Sequence, residues 1–182
     1  MTSVKIRPAE STELTTIWQL GFSDPQAAWT QWNGPYFHDV LPSQSGFETV
    51  IGPSDWLIQP KNWVITVDGQ IVGSVNQHFV DGAIQRWLEV GILIYDDQHW
   101  GQHVGQQALT QWLTHLFAVG TTLPHIGLTT WSGNTRMIHL ATAIGLNLEG
   151  QIPQVRYWQG QYYDSMKYGI LRTDWLRRHP KI

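Results

Sequence analysis

The sequence predicts an α/β (α+β) fold, a single domain built on a mixed, mostly antiparallel sheet with helices packed on it. Asp-Gly pairs at 68–69 and 81–82 separate three segments rich in β-branched and aromatic residues, which predicts a strand meander. Segments with helical spacing of apolar residues flank this meander and alternate with further strands. A chain of 182 residues can bury one core and leaves no room for a second domain.

The N-terminal elements are a strand and a helix. The segment Val4–Pro8 is predicted as a short strand that ends at the proline. Ser11 or Thr12 can cap the following helix, in which apolar residues recur at helical spacing over 14–22.

Residues 23–62 have the weakest pattern, because five prolines and three glycines interrupt them. Short helices are predicted at 26–32 and 54–58, within a loop that aromatic residues keep ordered.

The pattern becomes regular from residue 63 onward. The three meander strands are predicted at 63–67, 71–79 and 85–95, and the apolar run 90–94 suggests a strand buried on both faces. The remaining elements follow in order: a helix with an apolar stripe over 108–117, a strand at 125–131, a helix at 134–144, strands at 146–157 and 161–171 around the turn 159–160, and a helix at 173–178.

Composition excludes several classes of function. Asp and Glu total 14 against 11 for Lys and Arg, and the net charge of −3 argues against a general nucleic-acid binder. The chain has no cysteine, which excludes disulfides, thiol catalysis and thiolate metal sites. No signal peptide and no apolar run of membrane-spanning length is seen, so a cytoplasmic protein with no membrane partner is expected.

A glycine-containing turn joins the third meander strand to the next helix. It reads Trp100-Gly101-Gln102-His103-Val104-Gly105-Gln106. Unpaired backbone N–H groups and the helix dipole make such a turn an anion site that fits a pyrophosphate. No Gly-Lys-Ser/Thr and no Gly-x-Gly-x-x-Gly is present, and the alternative is that the glycines serve only a tight turn.

Two further segments carry recognisable spacing. Asn134-Thr135-Arg136-Met137 is followed by Ile144-Gly145-Leu146, which taken alone predicts a helix with caps at both ends. The final hairpin reads Gln159-Gly160-Gln161-Tyr162-Tyr163-Asp164.

Together and in this order, the segments resemble the GNAT acyl-CoA N-acyltransferases, in particular the ribosomal-protein N-terminal acetyltransferases and spermidine acetyltransferases. The family loop Gln/Arg-x-x-Gly-x-Gly/Ala corresponds to Trp100-x-x-His103-x-Gly105. The helix pattern Asn-x-x-Ser and the hairpin pattern Asp/Gln-Gly-x-Tyr-x-Asp correspond to the other two segments. The resemblance is strong over 86–171, fair over 63–85 and at the N-terminal strand and helix, and thin over 23–62.

The resemblance implies a sheet of about seven strands, splayed between the fourth and fifth, with acetyl-CoA as cosubstrate and no metal. It divides the single domain 1–182 into acceptor-side loops and short helices (23–62), a cofactor-binding core (86–145) and a C-terminal hairpin (146–171). Pantetheine would pair with the strand, the pyrophosphate would bind the loop, and the arm and 3′-phosphate would meet the helix residues. The implied cofactor-binding residues are Leu93, Ile94, Tyr95, Gly101, Gln102, His103, Val104, Gly105, Gln106, Asn134 and Arg136.

The loop departs from the family pattern. His103 stands where glycine is usual, and Trp100 stands where Gln or Arg is usual. A side chain at 103 requires ordinary backbone torsions. Because the loop contains no Lys or Arg, phosphate binding would depend on backbone dipoles, with protonated His103 as an aid.

The implied reaction is direct attack of an amine on the thioester, which needs a base and a proton donor. Glu89 is the candidate base, because it lies in an otherwise apolar strand; the alternatives are pairing with a neighbour such as Arg86 or exposure to solvent. Ala141 occupies the position of the family's acid tyrosine, so Tyr163 is a weak candidate, beside His139, Ser132 and water.

Aromatic residues are candidates for the acceptor groove, where aromatic walls suit an amine or a cation. The alternative is that they form ordinary core. The candidate substrate-binding residues are Trp29, Trp32, Tyr36, Phe37, Trp158 and Tyr162. His99 and His103 are not predicted to bind a metal, because no Glu of a His-Glu-x-x-His motif accompanies them and Gly101 lies between them.

The predicted function is acetyl transfer from acetyl-CoA to a primary amine in a ternary complex, the acceptor being a small polyamine-like amine or a protein N-terminus. One alternative is a catalytically degenerate module that binds or senses acyl-CoA, and another is an unrelated α/β enzyme with the same element order. The chain contains 11 tryptophans, an unusually high number. Those not needed for the core, together with the final strands, are candidates for a homodimer surface.

Overall fold

The computed structural model describes residues 3–179. Seven strands lie within this range: β1 Val4–Arg7, β2 Asn62–Val67, β3 Gln70–Phe79, β4 Leu88–Ile94, β5 His125–Trp131, β6 Asn147–Trp158 and β7 Gln161–Leu171. The α-helices of the same range are α1 Leu14–Gly21, α2 Gln44–Gly46, α3 Val104–His115, α4 Thr135–Ala143 and α5 Arg172–Arg178.

The strands pair in the order β1-β2-β3-β4-β5-β7-β6. The pairs β1–β2, β2–β3, β5–β7 and β6–β7 are antiparallel, whereas β4 and β5 are parallel. The predicted fold class, a mixed and mostly antiparallel sheet with helices, is therefore confirmed. The chain divides into two compact units: the first runs to Asn76 and includes Ile92–Ala108, and the second comprises Gln77–Gly91 and the chain from Leu109 onward. One domain over 1–182 stays a prediction.

The first unit has its core between α1, β2 and the helical stretch that contains α2. Buried Ile17, Phe47 and Trp56 belong to this core, and the rings of Phe47 and Trp56 lie 6.1 Å apart. The stretch after α2 is π-helical over Phe47–Ile51 and Pro53–Ile58, so the predicted 54–58 helix is part of a longer one.

Two details near the N-terminus differ from the prediction. The segment 26–32 forms only a 3₁₀ turn, Ala28–Gln31. The first helical turn is capped at Glu10, not at Ser11 or Thr12, and the backbone N–H of Glu10 donates to the Glu13 carboxylate. A residue three positions after the cap closes this capping box, which explains the shift of the start.

The two-residue turns predicted between strands are confirmed at two of three places. Asp68-Gly69 has φ values of 50° and 88°, and Gln159-Gly160 has values of 48° and 80°. Asp81-Gly82 does not form a two-residue turn: a 3₁₀ turn follows, and β4 begins at Leu88 instead of residue 85. The Asp81 carboxylate accepts the backbone N–H groups of Arg86 and Trp87, which stabilises the longer loop.

The second unit has its core around the later part of α3, β5 and β7. Leu113, Leu116, Ile126 and Ile170 are all buried there. None of the helices within residues 3–179 has the length and apolar character needed to cross a membrane.

Candidate active site

The pairing of β4 with β5 stops early. Its register joins Leu88 to Ile126 and Glu89 to Gly127, although both strands continue. The sheet therefore opens between the fourth and fifth strands, as predicted. The expectation that 90–94 is buried on both faces is wrong beyond Val90, because residues 91–94 are only half-buried. Those residues lie past the last β4–β5 pair, where the partner strand no longer covers them.

Glu89 lies at the last paired position of β4 and is only 4% exposed. Its Oε1 accepts a hydrogen bond from the Thr129 hydroxyl at 2.8 Å and one from the Lys167 Nζ at 3.3 Å. Lys167 Nζ also donates to Thr129 Oγ1 at 2.7 Å. The charged partner of Glu89 is thus Lys167, neither Arg86 nor solvent, and three side chains from three strands form one cluster.

Gly127 makes room beside this cluster, and sequence reasoning missed it. A Cβ at this position would lie 3.0 Å from the Tyr168 carbonyl oxygen, 3.3 Å from the His125 ring and 3.8 Å from Glu89 Cγ. The closest of these contacts, with a backbone oxygen, leaves little room for a side chain at this position. Its position opposite Glu89 depends on the β4–β5 register, which no local sequence pattern shows.

The end of β4 is held by hydrogen bonds within the first unit. The backbone N–H of Tyr95 donates to the Val72 carbonyl at 2.9 Å, and its hydroxyl donates to Ser74 Oγ at 2.9 Å. Burial raises the pKa of the Tyr95 phenol above its ordinary value. The Ile94 carbonyl accepts the Trp100 indole N–H at 3.2 Å. Pantetheine pairing along 93–95 stays a prediction, and it would have to use groups other than these.

The loop before α3 contains two left-handed residues, Gly101 with φ +75° and His103 with φ +60°. The expectation of ordinary torsions at 103 is therefore wrong. A Cβ added to Gly101 would meet no atom within 4 Å, so the loop is open on that side. Gln107 donates the first α3 hydrogen bond to His103, at 3.1 Å.

The geometry of this loop fits a pyrophosphate. The N–H groups of Val104, Gly105 and Gln106 precede the first intrahelical bond and have no acceptor within the helix. Residues 101–103 are exposed, whereas the Val104 side chain is buried and anchors the turn. The site therefore offers backbone donors and the positive end of a helix dipole, and its only ionisable side chain is His103.

The predicted cofactor residues on α4 lie in the second unit. The Asn134 side-chain oxygen accepts the Met137 backbone N–H at 3.0 Å, so Asn134 caps the helix as its spacing alone suggested. Gly145, with φ +86°, ends the same helix. Arg136 lies exposed in the first turn. Contacts of Asn134 and Arg136 with a cofactor stay predictions.

The candidate proton donors are placed as follows. Ala141, at the position of the expected tyrosine, is fully buried. The Tyr163 hydroxyl donates to Gln161 at 3.2 Å, and its ring lies edge-on to Trp131 at 4.8 Å. Ser132 Oγ accepts the backbone N–H of Asp164. The hydroxyl groups of Tyr163 and Ser132 thus each have a hydrogen-bond partner on β7.

The predicted acceptor aromatics differ in exposure. Trp29 is 6% exposed and packs edge-on against Phe22, so it is part of the core, and its contact with an acceptor stays a prediction. In the same unit Trp32 and Tyr36 are half-buried and Phe37 is 57% exposed. In the second unit, Trp158 is half-buried and Tyr162 is exposed.

Metal ligands do not cluster in the described part of the chain. No group of three or more His, Cys, Asp or Glu side chains within residues 3–179 could hold a metal ion. His99 Nδ1 lies 3.3 Å from the Asp96 carboxylate.

Comparisons with known proteins agree with this geometry. A family model described as an acetyltransferase (GNAT) domain matches residues 3–147. No curated protein has a sequence that matches the chain significantly.

Solved structures show the same fold. Spermidine N-acetyltransferase from Vibrio cholerae, in complex with CoA and spermine, has a TM-score of 0.73 at 20% identity, covering 95% of this chain and 98% of that chain. RimL, a ribosomal L7/L12 alpha-N-protein acetyltransferase in complex with CoA, has a TM-score of 0.73 at 20% identity, covering 93% and 94%. A GNAT-family acetyltransferase from Bacillus anthracis has a TM-score of 0.71 at 16% identity, covering 93% and 95%.

The family match extends over most of the chain, and the open pairing of β4 and β5 and the loop before α3 lie inside it. The resemblance stated from the sequence is thereby confirmed, and the chain belongs to the GNAT acetyltransferase family.

Proposed function

We propose that the protein transfers an acetyl group from acetyl-CoA to the primary amine of an acceptor by direct attack in a ternary complex. The observation that carries this proposal is the buried Glu89 carboxylate at the last β4–β5 pair, bonded to Thr129 and Lys167. A buried carboxylate at the opening of a sheet suits a proton acceptor, because its cost is offset by partners that keep it charged.

Different groups of this chain would carry the separate steps of the reaction. Glu89 takes the proton that the amine loses as its nitrogen bonds to the acetyl carbon and the carbon–sulfur bond breaks. A backbone N–H of β4 beyond Glu89 donates to the carbonyl oxygen as negative charge develops there. The thiolate then takes up a proton, for which Tyr163 is a candidate donor and water is the alternative.

The loop before α3 would hold the pyrophosphate of acetyl-CoA. The support for this is the run of N–H groups from Val104 to Gln106 together with the open side of Gly101. In this proposal Leu93 and Ile94 pair with pantetheine, Asn134 contacts its arm and Arg136 binds the 3′-phosphate.

The acceptor is proposed to be a small polyamine-like amine or a protein N-terminus. Two structural neighbours are a spermidine N-acetyltransferase with spermine bound and an alpha-N-protein acetyltransferase. Exposed aromatic side chains such as Phe37 and Tyr162 suit a cationic or amine ligand.

Calorimetric titration with acetyl-CoA and with dephospho-CoA tests the cofactor part of the proposal. We expect micromolar binding that weakens when the 3′-phosphate is absent. Gly105→Glu should abolish binding while the protein stays folded, because it places bulk and negative charge at the proposed phosphate site. Thiol release in the presence of amines and peptides then tests transfer. No binding at hundreds of micromolar acetyl-CoA would contradict the proposal.

A second candidate is a module that binds acyl-CoA without efficient catalysis. The observation that favours it is the buried alanine at 141, which removes the proton donor expected on α4. Tight acetyl-CoA binding without thiol release for any amine or peptide would support this candidate over the first.

A further inference from the structure

We propose that Lys167 is a positioning residue for acetyl transfer, which holds the Glu89 carboxylate charged and oriented. This inference rests on the proposed function and adds a residue to it. The two side chains come from positions 78 residues apart, and the Nζ-to-Oε1 distance is 3.3 Å.

Glu89 is much more deeply buried than its charged partner. The Glu89 side chain is 5% exposed, whereas that of Lys167 is 27% exposed. An ionised carboxylate removed from water without a partner strongly favours its neutral form. An ammonium group at this distance opposes that tendency, so Lys167 keeps Glu89 able to accept a proton.

The Thr129 hydroxyl fixes the orientation of the pair. Its single hydrogen is donated to Glu89 Oε1 at 2.8 Å, and its oxygen accepts from Lys167 Nζ at 2.7 Å. Thr129 and Lys167 face each other in the β5–β7 register, so the sheet itself sets this spacing. The hydroxyl therefore bridges the carboxylate and the ammonium, and these two hydrogen bonds orient both side chains.

Trp87 covers the lysine on another side. The Nζ of Lys167 lies 5.3 Å from the centroid of the Trp87 ring, within the range of a cation–π contact. The backbone N–H of Trp87 donates to the Asp81 carboxylate, which holds the loop in place. Three groups thus surround an ammonium that would otherwise extend into solvent.

Other titratable groups near the pair come from the neighbouring elements. On β3, His78 is exposed. On β5, His125 contacts Glu149 of β6 at 2.9 Å.

Arg86 and Asp81 lie in the loop that leads into β4. Within residues 3–179, the only salt bridge that Glu89 makes is with Lys167.

The test compares Lys167→Met, Lys167→Arg and Thr129→Val by steady-state kinetics from about pH 4 to pH 9, a range that includes the ordinary titration of a glutamate. For Lys167→Met we expect kcat to fall at least about tenfold, with the acetyl-CoA Kd changed less than twofold. The acidic limb of its kcat profile should move up by about one pH unit, the smallest effect of removing an opposite charge at this range. Lys167→Arg should restore the limb, and Thr129→Val, which removes a neutral donor to Glu89, should move it less than Lys167→Met does.

A double-mutant cycle separates this role from a structural one. If Lys167 acts through Glu89, adding Lys167→Met to Glu89→Gln lowers kcat by less than about twofold, because the carboxylate is already gone. Multiplicative losses, or an acidic limb unmoved in a folded Lys167→Met protein, overturn the role of Lys167. If Lys167→Met does not fold, Lys167→Gln takes its place.

An equal shift of the limb in Thr129→Val also overturns the assignment to the charge. A wild-type protein that binds acetyl-CoA but acetylates no amine overturns the proposed function itself, and the role of Lys167 falls with it. An active wild type with a normal Lys167→Met profile overturns the role of Lys167 alone.

Discussion

His103 contacts Gln106 one turn into α3 while its own backbone is left-handed. Its Nδ1 lies 3.1 Å from Gln106 Oε1, and its φ is +60°. Because an amide oxygen only accepts, Nδ1 carries the hydrogen and Nε2 becomes a second donor when the ring is protonated. His103, which replaces a glycine of the family pattern, thus forms a side-chain hydrogen bond with the first turn of the helix that follows it.

We expect His103→Gly to change stability little and to reduce the pH dependence of cofactor binding. A left-handed side-chain residue costs roughly 1–2 kcal/mol, which offsets the roughly 0.5–1 kcal/mol that glycine loses in conformational entropy. Histidines gain charge between about pH 8 and pH 5, so acetyl-CoA should bind the wild type more tightly as pH falls.

Calorimetric Kd values at pH 6 and pH 8 measure this effect. The ligand's own phosphate titration is common to both proteins and cancels in the comparison. An equal pH dependence in wild type and His103→Gly would show that the imidazole does not contact the phosphates.

Glu89→Gln should lower turnover at least about tenfold, the lower range for loss of a general base, and leave acetyl-CoA binding intact. It also leaves the Lys167 ammonium without its counter-charge, so the melting temperature should fall and assays belong well below it. Glu149→Gln is the matched control, because Glu149 is a more exposed carboxylate in the same unit that pairs with His125. Near-normal turnover of Glu89→Gln would end the assignment of Glu89 as the base.

Substitutions of Trp29 and Phe37 should distinguish a core aromatic residue from one on the proposed acceptor surface. Trp29→Ala is expected to destabilise the fold by about 3–5 kcal/mol, as for other buried large-to-small changes. Phe37→Ala should leave stability almost unchanged, because its ring is 57% exposed, and raise the KM for the acceptor. Chemical denaturation and acceptor kinetics measure the two effects. Equal stability losses would place Phe37 in the core as well.

Asp164→Asn should destabilise the protein in a pH-dependent way. The Gln151 side-chain amide and then the Gln154 backbone N–H donate to Asp164 and lower the pKa of its carboxyl group. A carboxylate with a lowered folded-state pKa stabilises the fold above its unfolded value of about 4, and this is lost as pH falls through the folded value.

The difference in melting temperature between wild type and Asp164→Asn is therefore largest near neutral pH and shrinks below about pH 4. Thermal melts between pH 3 and pH 7 measure it. A difference that stays constant over this range would show that the hydrogen bonds matter without the charge.

Much of the fold could be predicted because the signals are local. β5 and β7 have the predicted bounds, 125–131 and 161–171. Asp68, Gly69 and Gly160 adopt the positive φ values that Asp and Gly accept at such turns, and Gln159 adopts one as well. Residues 23–62 could not be assigned well, because a π-helical stretch that includes a Gly-Pro step has no periodic signature.

Some features of the candidate site could likewise be predicted from local sequence spacing, and others could not. The loop before α3 and the helix capped by Asn134 were visible as spacing, because a cap or turn depends on residues a few positions away. The left-handed backbone of His103 was not visible, because only the path of the loop imposes it on a residue that disfavours it.

The sequence by itself determined β5 and β7, the turns at 68–69 and 159–160, the caps of α4 and the isolated carboxylate at Glu89. The tertiary structure alone decided that Lys167 and Thr129 meet Glu89, that Gly127 makes room for it and that Trp29 is core. The physical reason is separation along the sequence. Local torsions depend on near neighbours, whereas an ion pair between strands depends on strand register and on where strand pairing stops.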